Sequence, residues 1–224
     1  MQGLPETAPK GTYAGRSVDE RRADRRRRFL EAALELYGTQ GYAAATTDRL
    51  CEAAGLSTRQ FYEEFTNRNQ LLLELYDLIN DEASAAVAVA MAAALQREAD
   101  LWDLVHEGVQ IYVSANATDV RRAQVAYVTI VGVTPEIEEH RLSRRRRWVQ
   151  EMCVLADELV RRGQIPDRDY RLTLSAFVGA VNGLVHDWCR SSPRPPLAEI
   201  TGTLTHLLFS SLTIAPRPPA ETNG

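Results

Sequence analysis

Cysteine is scarce. Cys51, Cys153 and Cys189 are the three in 224 residues, and their separations fit neither a metal-ligand set nor a disulfide framework. Buried thiols in a reducing compartment are the reading that remains. The opening stretch, MQGLPETAPKGTYAG, lacks the apolar core of a signal peptide. No uncharged run is both long and apolar enough to cross a bilayer, because the alanine-rich stretch from Ala83 to Gln96 stops short. Nucleotide-binding glycine loops, metal clusters and nucleophile elbows are also missing. These absences predict a cytoplasmic protein with no cofactor, no membrane partner and no enzymatic activity. His186 and Asp187, beside Asn182, are the one acid–base set in view, and polar residues satisfied at a helix interface explain them better.

A strong basic charge is missing as well. The net charge is −4, residues 16–68 carry ten arginines against nine acids, and residues 69–224 carry fifteen against twenty. Contacts to nucleic-acid phosphates would therefore come from a few placed groups, not from a general field.

What is present is helical periodicity, organised around TTDRLCEAAGLSTRQFYEEF from Thr46 to Phe65. Thr46 is placed to cap one short helix, Gly55 to close it in the left-handed conformation, and Ser57 to cap a second. Leu50, Ala54, Leu56, Phe61 and Phe65 fall on an inward face, leaving Thr58, Arg59, Gln60 and Glu63 outward. A short helix held by its apolar side and presenting Arg and Gln suits the major groove. An ordinary helical hairpin with a polar face fits the same twenty residues.

Resemblance decides between them. From about Arg22 to Ile79, through FLEAALELYGTQGYAAATT, the AAGLS turn, the FY-x-x-F helix and the restart TNRNQLLLELY, the chain resembles the DNA-binding domain of TetR-family transcriptional regulators. The resemblance implies an all-α fold of about nine helices. It also implies operator contacts at Arg28, Thr46, Thr47, Arg49, Ser57, Thr58, Arg59, Gln60, Tyr62 and Arg68, with phosphate roles for Thr46 and Tyr62. Arg59 and Gln60 depart from the commonest residues at their positions. Glu63 and Glu64 do too, and they place two acids near the phosphate-facing end.

The organisation read along the chain is a flexible arm over residues 1–20, a DNA-binding domain over 21–83, a ligand-binding and dimerisation domain over 84–214, and a disordered tail over 215–224. Asn67 is placed to cap a long helix reaching about Arg97, a rod of about 42 Å at ~1.5 Å per residue. Further helices are expected over 100–115, 118–131, 135–162, 167–190 and 197–213. The arginine run 144–147 spans most of a helix circumference and reads as solvated. Trp102, His106, Gln110, Tyr112, Asn116, Tyr127, Trp148, Met152 and Asn182 are an unusual mixture among Val, Leu and Ala, and Trp102, His106, Gln110, Tyr127, Trp148, Met152 and Asn182 are the candidate lining of an inducer pocket.

A two-turn recognition helix reads too few base pairs for specific control, so a homodimer on a palindromic double-stranded DNA operator is expected. Its candidate interface is Phe177, Ala180, Val181, Gly183, Leu184 and Trp188 of the eighth helix, with Leu204 and Leu208 of the ninth. The function implied is a repressor released by a small apolar or aromatic ligand. An activator, a regulator without ligand, and a helical ligand carrier or enzyme are the alternatives.

Overall fold

Capping sets most of the helix starts. Ser17, Thr46, Ser57, Asn67, Asp100, Asp119 and Thr134 each accept a backbone N–H of the following first turn. They open α1 (Val18–Ala44), α2 (Thr47–Ala54), α3 (Thr58–Glu64), α4 (Arg68–Gln96), α5 (Leu101–Ala117), α6 (Val120–Ala123) and α7 (Pro135–Arg161). α8 (Arg171–Arg190) and α9 (Leu197–Thr213) follow without side-chain caps. The computed structural model describes residues 17–214, and among these there are nine α-helices and no strand. The arm over 1–16 and the tail over 215–224 lie outside the described residues, while residues 18–20 form the first turn of α1.

Two expected helices come out differently. The sixth is α-helical for one turn and continues as a π-helical segment, Gln124–Thr129, an arrangement frequent at functional sites. The eighth starts at Arg171 instead of Asp167, because the Tyr170 hydroxyl is tied to the carbonyls of Pro166 and Leu212 and holds the preceding residues in a turn.

The N-terminal core is aromatic. Phe29 of α1 meets Phe61 and Phe65 edge-on, at 5.3 and 5.8 Å between ring centres, so one side chain grips α3 at its middle and at its C-terminal cap. Gly41, at φ 79°, breaks α1 just before Tyr42 stacks beside Tyr37. α4 leaves this core and runs on against α5, burying Leu71, Leu72, Leu75, Tyr76, Ile79, Ala83, Met91 and Ala94. Contrary to the sequence reading, α4 is long and apolar enough to cross a membrane by length and composition. Its buried stripe lies in the protein core, and its Asp77, Asp81 and Glu82 pair with arginines of α7 and α6.

α1 and α6 meet without side chains between them. A Cβ on Gly38 would lie 2.5 Å from Arg121 Cβ and 2.8 Å from its Cα. Around that contact Arg121 pairs with Glu35 and Asp119, and the Thr129 hydroxyl donates to the Tyr37 carbonyl.

Candidate nucleic-acid interface and ligand cavity

α2 and α3 are joined through Gly55 at φ 61°, the left-handed residue that closes α2. Ser57 and Gln60 then form a reciprocal capping box that starts α3. Thr58, Arg59, Tyr62 and Glu63 lie on the solvent side of α3, with Arg59 reaching back to Glu63 at 3.1 Å. Tyr62 is 60% exposed although it carries a large ring, and its edge packs on Phe61. Thr46 and Ser57, the two cap residues, are exposed, and Thr47 is half-buried.

Four of the expected contact residues are engaged inside the protein. Gln60 accepts the Ser57 N–H, so its amide oxygen is occupied by the cap. Arg49 donates to the Ala44 carbonyl and to Gln40, clamping the end of α1. Arg68 lies over the Tyr42 ring at 4.6 Å and donates to the Tyr42 and Ala45 carbonyls. Arg28 donates to the Gly55 carbonyl. The guanidiniums of Arg28, Arg49 and Arg68 thus bind the turns that hold α2 and α4 in place.

Glu64 corrects a second expectation. It does not sit at the phosphate-facing end of α3; its side chain is fully buried against α1, where Arg22 (3.2 Å), Arg25 (2.7 Å) and Arg26 (3.6 Å) converge on it. Arg26 also lies over the Phe65 ring and pairs with Glu74 of α4. Arg22, Arg25 and Arg26 are thus drawn onto acids of α3 and α4. Arg27 pairs along its own helix, with Asp24 and Glu31.

Farther along, α4, α5, α7, α8 and α9 surround a cavity of about 260 Å³. Its walls are almost wholly apolar, with Val87, Met91, Val109, Leu155, Phe177 and Leu208 among them, and Ser84 and Glu151 at its polar edge. Trp148 and Met152 line it as expected. Tyr127 and Asn182 line a smaller neighbouring cavity. Trp102, His106 and Gln110 line neither: Trp102 packs on His206 and Phe209, His106 faces Thr205, and Gln110 is exposed. Tyr112, part of the same mixture, lines both cavities, whereas the α4 residues carry no periodicity mark that separates pocket from core.

The candidate dimer residues also divide. Phe177, Val181 and Leu208 face the cavity, Leu204 is fully buried, and the Trp188 indole N–H donates to the Pro195 carbonyl inside the protomer. Ala180 and Leu184 are half-buried, and Gly183 opens on empty space on the outer side of α8. The arginine run is likewise partly interior: Arg144 pairs with Asp77 and Asp81 of α4, and Arg145 donates to the Ser175 carbonyl. The thiols are unreactive in character, burial pushing Cys189 up to about 11.

Residues 29–75 match the model of the bacterial regulatory proteins of the tetR family. These residues carry the DNA-binding domain of that family. The chain is similar to the HTH-type transcriptional regulator EthR of Mycolicibacterium smegmatis, 23% identical over 206 residues that cover 91% of this chain and 92% of the relative. EthR of Mycobacterium tuberculosis is 23% identical over 209 residues, covering 91% and 93%. Among solved structures, FadR of Bacillus subtilis in complex with stearoyl-CoA superposes with a TM-score of 0.70 at 18% identity, covering 83% of this chain and 98% of that one. FadR of Bacillus halodurans gives 0.73 at 18% identity, covering 83% and 94%. The likeness in fold thus extends beyond residues 29–75 into the helices that enclose the cavity.

Proposed function

We propose that the protein is a cytoplasmic homodimeric repressor that leaves a palindromic operator when a small apolar or aromatic ligand fills the cavity. The observation that carries this reading is that one helix serves both ends. α4 begins with Arg68, which clamps the Tyr42–Ala45 turn ahead of α2, and about 28 Å further on presents Ser84, Val87, Ala88 and Met91 to the cavity. A ligand that shifts the cavity wall therefore shifts the platform on which α3 stands. Arg59 would read bases, with Thr58 beside it, while Tyr62, Thr46, Thr47 and Ser57 would meet phosphates. The pairing surface assigned is the outer side of α8 around Ala180, Gly183 and Leu184, with Leu207 of α9. FadR of Bacillus subtilis, which holds stearoyl-CoA, is a structural neighbour in keeping with an apolar effector.

The test is a mobility shift and footprint on DNA upstream of the protein's own gene. A twofold-symmetric footprint with half-sites about 34–36 Å apart or further is expected. Binding without sequence preference would refute the reading.

A further inference from the structure

The apolar cavity shares Ser84, Tyr112, Trp148 and Glu151 with a second cavity of about 40 Å³. Tyr112 and Trp148, stacked at 5.0 Å between ring centres, stand between the two. The smaller chamber has the opposite chemistry. Arg141, Arg144, Arg145 and Arg147 reach it from α7, joined by Tyr127 from the π-helical segment. Glu138 neutralises Arg141, while Asp77 and Asp81 neutralise Arg144. Arg145 gives one N–H to the Ser175 carbonyl and meets no carboxylate among the described residues. Arg147 has neither an ion pair nor a hydrogen bond among them, so Glu151, the one acid in the lining, leaves a surplus positive charge.

Tyr127 adds an independent sign. It is 6% exposed, and its buried hydroxyl meets no partner beyond the adjacent Tyr112 hydroxyl. Burial, with the Tyr112 hydroxyl adding to it, keeps the phenol protonated and able to donate. An anionic acceptor brought by a ligand would offer this donor a stronger partner than a neutral hydroxyl.

Building on the effector-site reading, we propose that the ligand is an amphiphile whose aliphatic body fills the larger cavity and whose small anionic head, a carboxylate or a phosphate, is held by Arg145, Arg147 and Tyr127. The size of the second chamber limits the head. A volume of about 40 Å³ is a few times the ~10–15 Å³ that one water molecule needs. A group of a few atoms fits among the arginines.

Calorimetric titration of the full chain with decanoate, decyl phosphate and decanol, each kept below its micelle concentration, tests this. At least one anion should bind about tenfold or more tightly than the alcohol, as a charge-assisted contact implies. Decanoate alone would identify a carboxylate head, and decyl phosphate alone a phosphate ester. Arg147→Gln, at an exposed and unpaired position, should remove the anion's advantage and leave decanol unchanged, and Tyr127→Phe should weaken the anion severalfold. Decanol binding as tightly as both anions would overturn the anionic head, as would an anion preference that survives Arg145→Gln and Arg147→Gln together. No heat from any of the three would overturn the aliphatic amphiphile altogether. The titration contains no DNA, so its failure is separable from failure of operator release.

Discussion

The two ends of this molecule treat charge and volume in opposite ways. Around α3 the arginines are drawn inward, onto Glu64, Glu74 and backbone carbonyls, and the aromatic core leaves Phe29, Phe61 and Phe65 essentially without exposure. Around the cavity the packing is left incomplete. A reader of DNA must hold one geometry, since a shift of its helix misplaces every contact. A ligand chamber must leave space that something else can fill. The same fold supports both because the aromatic grip and the hollow lie at opposite ends of α4.

The contrast can be broken most severely at Glu64. Replacing it with Ala leaves three arginines without their buried acid, and a loss of about 3 kcal/mol is expected, the lower end of the range because those arginines reach solvent. Thermal melting should register it, and operator affinity should fall with it. Unchanged melting would mean that the cluster does not fix α3. Next in size is Gly183→Leu. On the dimer assignment, light scattering should report a folded monomer with most of its operator affinity gone, and a variant still dimeric at micromolar concentration would move the interface elsewhere.

Smaller effects separate the solvent side of α3 from its core. Arg59→Ala should remove about 1–3 kcal/mol of discrimination among operator variants while leaving the melting temperature alone. Tyr62→Phe should weaken all sequences alike by about 1 kcal/mol, the worth of a hydrogen bond to phosphate. A binding selection in which both variants behave identically would contradict the division of roles. The mildest change acts at the other end. Ala156→Val adds volume at a cavity wall that is 3% exposed and should stabilise the apo protein by about 0.5–1 kcal/mol. Ligand affinity should drop at the same time, and destabilisation would show that the space is already filled.

Much of the N-terminal third was legible because its signals are local. Thr46, Ser57, Asn67 and Asp100 cap the helices that their positions announce, and Gly55 ends α2 in the left-handed conformation. The fate of the charged residues was not legible. Periodicity marks Glu64 as the neighbour of an inward-facing Phe65, but its partners lie 38 to 42 residues earlier in the chain. The same holds for Arg144, whose acids come from α4, and for Arg68, whose carbonyl partners lie 23 and 26 residues away. Trp102 and Trp148 look equivalent by composition, yet one packs against α9 and the other stands between the two cavities. Which side of a helix faces a hollow depends on how five helices cross, and no single segment encodes that.

The contact at Gly38 gives the molecule a fulcrum. Because nothing but hydrogen occupies the glycine's side, the chain of α1 rests directly on Arg121, with no flexible side chain to act as a cushion. Displacement of the π-helical segment, which carries Tyr127 at the polar chamber and Thr129 on the Tyr37 carbonyl, is therefore not absorbed at this joint. It would turn α1 as a stiff beam turns about a hard pivot. At the far end of that beam are Arg22, Arg25 and Arg26, holding the recognition helix by its last residue.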